Sequence, residues 1–208
     1  MSVDDRLEKV KEYFARQLVL YGTTPQGVDF SSVETHETRF AQLIKIFGAN
    51  LLYSLLDFGS GFGAFYDYLI RLGHHPNYVG YDISLPMVEK GRTLHAENPA
   101  CRFTTDLADV PVLDYATLCG TFNMKLDADD ETWTKIVVEC LQQMDAHASR
   151  GFSFNMLTKY SDPEKMRPDL YYADPLFFFD YCKRNFSKNV ALLHDYKLYD
   201  FTILVRKD

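Results

Sequence analysis

An apolar run over residues 51–58 leads directly into Asp57-Phe58-Gly59-Ser60-Gly61-Phe62-Gly63, and a helical pattern takes over across residues 62–72. Glycines at alternate positions between a strand and a helix leave few architectures open. Glycine turns the backbone through conformations that other residues resist and lets it approach a ligand closely. The following helix aims unpaired N–H groups back at the turn. The next strand pattern, Tyr78-Val79-Gly80-Tyr81, ends in Asp82, and a carboxylate there suits the two hydroxyls of a ribose. Together the two features describe a strand–helix–strand unit built around a nucleotide-like ligand.

The alternation continues along the chain. Strand patterns occupy residues 101–105, 115–120, 151–157, 190–194 and 201–205. Between them, Ser84 with Pro86 opens one helix, and residues 127–148 carry Trp133, Ile136, Val137, Cys140, Leu141 and Met144 at helical spacing behind an acidic first turn. Asp174-Pro175 opens a further helix bearing Phe178, Tyr181 and Cys182. Such alternation implies an α/β fold with a parallel sheet covered on both faces. Residues 195–200 are too few for a parallel crossover, which takes about a dozen residues, so the seventh strand is expected to run antiparallel beside the sixth. The expected fold is a Rossmann-like seven-stranded sheet, mostly parallel with an antiparallel seventh strand.

Two helices precede this core. Leu7, Val10, Phe14 and Leu18 make one amphipathic face, and residues 21–28 break it with glycine and proline. Ser31 with Glu34 forms the pattern of a capping box, opening a helix whose face is Phe40, Leu43, Ile44 and Phe47, closed by Gly48. Residues 1–48 are therefore expected to be an N-terminal helical cap on a core of residues 49–208, within one compact domain.

Composition narrows the function. Acidic residues outnumber basic ones 29 to 22, a net charge of −7, and the densest basic groupings are the pairs Lys183-Arg184 and Arg206-Lys207. That balance argues against nucleic acid or an anionic membrane surface as partner. No apolar run approaches the roughly 20 residues of a membrane span. With 47% apolar and 15% aromatic residues, the chain can build both a core and an aromatic-walled pocket, which excludes disordered and fibrous architectures. Cysteines 101, 119, 140 and 182 make no Cys-x-x-Cys pair and imply free thiols in a reducing cytoplasm, with Cys119 and Cys140 on apolar faces.

The glycine spacing is G-x-G-x-G rather than the G-x-G-x-x-G that admits a pyrophosphate. Asp57 would repel a pyrophosphate but favours an ammonium or sulfonium ligand. On these residues the chain resembles the class I S-adenosylmethionine (SAM) methyltransferases over residues 51–207. The resemblance implies SAM as cofactor. It implies that Gly59, Ser60 and Gly61 pass beside its methionine and ribose portions, with Asp57 near the amino group. Asp82 would hold the ribose, Ile83 and Met87 would pack at ribose and adenine, and Asp106-Leu107 would read the adenine. Gly120-Thr121-Phe122-Asn123 matches the segment beside the transferred methyl group, which places Gly120 and Phe122 at the cofactor.

Departures from subtypes within that family are informative. Enzymes that methylate amide or exocyclic nitrogens carry Asn/Asp-Pro-Pro-aromatic where this chain has Gly-Thr-Phe-Asn, which favours oxygen slightly over nitrogen as the methylated atom. Metal-dependent subtypes need carboxylates where this chain offers Asn123 and Asn155, so no metal is expected. For catalysis the candidates are Tyr171, Tyr172, His194 and Asn123, all near carboxyl ends of strands, where ligands of open α/β sheets bind. Tyr196, Tyr199 and Lys159 are weaker candidates with packing or solvation as the bland alternative. Arg39 is expected either to meet the methionine carboxylate or to pair with Glu34 or Glu37, and Tyr21 to close over the cofactor as a lid. His74 and His75 are expected on the surface, and His95 and His147 in solvent.

The expected function is methyl transfer from SAM to a small-molecule acceptor in the cytoplasm. Two alternatives keep the same ligand: a cyclase or lyase reaction that consumes SAM without a methyl acceptor, and a non-catalytic SAM-binding partner subunit.

Overall fold

The computed structural model describes residues 3–207, with side chains from residue 6, so Met1, Ser2 and Asp208 of the expected cap and core lie outside the described residues. Helices α1 (Val3–Tyr21) and α2 (Val33–Leu43) come first. Then follow β1 (Ser54–Phe58), α3 (Ala64–Arg71), β2 (Asn77–Tyr81), α4 (Leu85–Leu94), β3 (Cys101–Thr104) and β4 (Leu113–Leu118). The chain finishes with α5 (Asp130–His147), β5 (Ala148–Leu157), α6 (Pro175–Asn185), β6 (Asn189–Leu193) and β7 (Asp200–Arg206).

The strands form one sheet in the order β3-β2-β1-β4-β5-β7-β6. Strands β1 to β5 pair in parallel, and β7 runs antiparallel between β5 and β6. The Rossmann-like seven-stranded fold and its antiparallel seventh strand are thus as the sequence implies. The order reverses between β1 and β4, and the crevice outside the carboxyl ends of strands at such a reversal is where open α/β sheets bind ligands.

Each face of the sheet has its own apolar cluster. On one side Leu43, Phe40, Phe65, Leu69 and Val88 of α2, α3 and α4 meet Leu55, Tyr78 and Tyr115. On the other, Trp133, Val137 and Phe178 of α5 and α6 meet Leu56, Phe152, Phe154 and Phe201. Rings buried this fully contribute about 1.5–3 kcal/mol each by leaving water. The β3–β4 connection contains one 3-10 turn, Leu107–Asp109, and no helix. Val10 and Phe14 of α1 join the same cluster as Leu56, Val79 and Val110, so α1 covers ground that a crossover helix would otherwise occupy.

Several local expectations are corrected. The cap of α2 is Ser32, whose hydroxyl accepts from the Thr35 N–H, rather than Ser31. Leu51 and Leu52 are exposed and precede β1, which starts where Ser54 bonds to the Asp114 carboxylate through both N–H and hydroxyl. Ser84 stands at the N-cap of α4 without a side-chain cap bond. His74 is buried, with its ring nitrogen 3.0 Å from the Tyr53 hydroxyl. His95 is stacked on Phe103 and edge-on to Tyr66, out of solvent.

Candidate active site

The floor of the site is the turn between β1 and α3. Gly59 has φ of +78°, and a Cβ built there would lie 2.1 Å from the Thr121 hydroxyl, so only glycine lets this turn pass beneath the segment after β4. The Gly59 and Ser60 N–H groups both donate to the Tyr81 carbonyl at the end of β2, at 2.7 and 3.0 Å. That fastens the turn to the neighbouring strand.

Asp82 begins the next loop. One carboxylate oxygen accepts from the Gly61 N–H at 2.9 Å and the other from the Ser84 N–H at 2.8 Å. Burial raises its pKa, and these two bonds oppose the rise. Each oxygen keeps lone-pair capacity beyond its backbone bond, so the carboxylate can still receive hydroxyl donors.

Asp57 lies deeper, 2% exposed. It accepts from the Tyr78 hydroxyl at 2.5 Å and, at the limit of a bond, from Thr117 at 3.5 Å. Burial, with Asp82 nearby, pushes its pKa up to about 7 against these two bonds.

Above this floor lies a cavity of about 260 Å³. Asp57, Gly59, Ser60, Gly61, Asp82, Ile83 and Met87 line it, as do Gly120 and Phe122 after β4. Leu7, Val10 and Phe14 of α1 close it on one side, together with Trp133, Glu139 and Gln143 of α5. Val28, Phe30, His36 and Phe40 close it on the other. The wall after β4 is pinned by the Trp133 indole N–H donating to the Phe122 carbonyl at 2.7 Å, and by the Gly120 N–H donating to the Asn155 side chain at 2.8 Å.

Other residues singled out in the sequence lie elsewhere. Arg39 does not line the cavity; it donates through Nε and Nη2 to both oxygens of the fully buried Asp200, at 3.0 and 2.5 Å. Glu37 pairs with Arg71 instead. Tyr21 is half exposed at the end of α1, away from the lining. Asp106 caps the 3-10 turn through the Ala108 N–H, and Leu107 packs against the larger core cluster.

None of the four catalytic candidates borders the cavity. Tyr171 is buried with its hydroxyl 2.6 Å from that of Thr134, and the Tyr172 hydroxyl accepts from the Arg167 N–H. Asn123 accepts from the Leu157 N–H, and His194 is exposed beside Tyr160. The sequence reading assigned no role to Phe14, Phe30, His36, Glu139 or Gln143. The apolar spacing of α1 was visible, but spacing alone does not separate a cavity wall from a core face.

Fold and cavity together define a Rossmann-like protein with its ligand site at the sheet's switch point. No family model matches the chain. A curated methyltransferase of Mycobacterium tuberculosis (strain H37Rv) is 44% identical over 164 residues, covering 79% of this chain and 99% of that one. The chain belongs to the class I SAM-dependent methyltransferases. Among solved structures, magnesium protoporphyrin IX methyltransferase from Synechocystis with bound SAM superposes at a TM-score of 0.64, with 20% identity over 99% of each chain. The 1,6-didemethyltoxoflavin-N1-methyltransferase of Burkholderia thailandensis, bound to its substrate and S-adenosylhomocysteine, does so at 0.67, with 13% identity over 100% of this chain and 91% of that one.

Proposed function

We propose that the cavity holds SAM over the glycine turn and a small-molecule acceptor beside it. The observation that carries this reading is the pairing of Gly59 and Asp82 on the floor of one enclosed space: a turn that glycine lets pack closely under Thr121, and a carboxylate with free acceptor capacity. The residues fit the cofactor. Asp82 would take the ribose hydroxyls, Ile83 and Met87 the adenosine flank, and Asp57 the ammonium end. When bound, SAM supplies a sulfonium methyl group open to in-line displacement.

The chain's own contribution is alignment and exclusion of water. Gly120 and Phe122 hold the wall nearest the reacting atoms, while α1 and the segment around Phe30 roof the space. Alignment of this kind can supply about 7–11 kcal/mol of a barrier. A roofed cavity suits a small acceptor rather than a nucleic acid, and the absent Pro-Pro motif favours oxygen over nitrogen. The free state of all four cysteines supports a cytoplasmic setting.

Parallel calorimetric titration with SAM, S-adenosylhomocysteine and NAD tests the reading. Micromolar binding of the first two and none of NAD is expected. Asp82→Ala should weaken SAM by roughly 10–100-fold, the loss of charged hydrogen bonds worth about 1.5–3 kcal/mol. Silence from both SAM ligands, or unchanged affinity in a folded Asp82→Ala protein, removes the assignment.

A further inference from the structure

One part of the cavity is lined by Val28, Phe30, His36, Phe40, Phe65 and Cys119, and it is the part left for an acceptor when SAM lies over the glycine turn. Its walls are Val28, Phe30, Phe40 and Phe65, with one polar side chain among them, His36. The His36 ring is 7% exposed, stacked on Phe30 with centroids 4.0 Å apart and 4.2 Å from Phe40. Its ring nitrogens have no hydrogen-bond partner among the described residues, although its backbone N–H is bonded to Ser32. Protein does not enclose these nitrogens, so they are open to a hydrogen bond from whatever fills the space beside them.

Charge limits what that ligand can be. Among the described residues no lysine or arginine lines the cavity, and the charged ones that do are Asp57, Asp82 and Glu139. Arg39 stands 5.0 Å over the Phe30 ring, but its Nε and Nη2 donate to Asp200 and its Nη1 to the Thr35 carbonyl. An anionic acceptor would lose its hydration among carboxylates and find no counter-charge on the side chains around it. A cation at His36 would face the Arg39 guanidinium, and the same burial and charge push the His36 pKa down to about 3.

Resting on the SAM reading above, we propose that the acceptor is an uncharged aromatic molecule bearing a hydroxyl or N–H group, which stacks among Phe30, Phe40 and Phe65 and is held by a hydrogen bond to His36. His36 is then a specificity-determining contact that turns the acceptor's lone pair toward the glycine turn.

The test uses protein saturated with S-adenosylhomocysteine. The probes are phenol, 1-naphthol, 2-naphthol and 4-hydroxybiphenyl, against benzoate, the two naphthoates and biphenyl-4-carboxylate. At least one neutral probe should bind tenfold or more tightly than its carboxylate counterpart and shift the His36 ring nitrogen resonances. His36→Phe should lose about tenfold for that probe while keeping its affinity for S-adenosylhomocysteine, and His36→Gln, which keeps an acceptor, should recover most of it. Equal or tighter binding of the carboxylates overturns the proposal, as does binding of no neutral probe. So does a His36→Phe protein that binds the probe as the wild type does. Failure of S-adenosylhomocysteine to bind the wild type is a separate result, and it brings down the cofactor reading itself.

Discussion

Asp57 sits where three strands meet, opposite Gly80 of β2 and Thr117 of β4. Its pKa of about 7, raised chiefly by burial, ties stability to pH. The folded value lies above the ordinary 3.8, so between these values the native state holds a proton that the unfolded chain has released. Stability from this group is fully present below about pH 4 and is lost as pH rises through about 7. A shift of about three units corresponds to roughly 4 kcal/mol. Asp57→Asn cannot ionise, so its stability relative to wild type should climb by up to about 4 kcal/mol between pH 4 and pH 8. Urea denaturation of the unliganded proteins across that range measures it, and a difference that stays flat with pH would show that Asp57 is ionised throughout. Asp57 and Asp82 were readable because they stand at fixed places in a glycine-marked motif. His36 was not, since a histidine one turn before Phe40 on the apolar face of α2 reads as core, and the cavity beside it forms only when residues 57–65 and 119–122 come together in the fold.

Between elements, the cavity wall hangs on a polar chain that no local pattern reveals. Arg39 on α2 grips Asp200 at the start of β7; Asp200 accepts from the Asn155 amide on β5 at 3.1 Å; and Asn155 accepts from Gly120. Arg39 and Asp200 are far apart in sequence, so a sequence reading offered Arg39 the methionine carboxylate of SAM or the local partners Glu34 and Glu37. The same limit explains His74, placed in a loop yet enclosed by Phe47 and Tyr53. Strand direction was legible because it follows from connection length and apolar periodicity, whereas the order of the strands across the sheet was not read from the sequence. A buried ion pair shows its importance when one member is removed, because the other is left desolvated and unpaired. Arg39→Met should cost about 3–5 kcal/mol of stability. The double variant Arg39→Met/Asp200→Leu, which removes both charges, should recover a large part of that loss. Denaturant melts of both single variants and the double one decide the matter. Strict additivity of the single effects would mean that the two side chains act independently despite their contact.

On the scale of the whole molecule, α1 walls the cavity while burying little of its own surface. Of its described side chains Val10 alone is buried, while Leu7 and Phe14 face the cavity. Its polar ties to the start of α5, Lys9 with Asp127 and Arg6 with Asp129, involve exposed carboxylates, and such pairs contribute about 0–1 kcal/mol each. The strands β5 and β7, by contrast, are buried along almost their whole paired length. Elements with few buried contacts open locally at low free energy, and those that close over ligands are drawn from this group. A ligand seated against Leu7 and Phe14 supplies the apolar surface that α1 otherwise lacks. Hydrogen exchange with and without S-adenosylhomocysteine should therefore show the residue 7–16 segment slowed well beyond the β5–β7 pair. Saturation at 100 times the dissociation constant adds about 2.7 kcal/mol of global stability, an upward shift that every globally exchanging amide shares. The excess protection of α1 above that shared shift is the signature of closure. If α1 gains no more than the β5–β7 strands, it is a fixed wall of the site, and the acceptor must enter past Phe30 and His36.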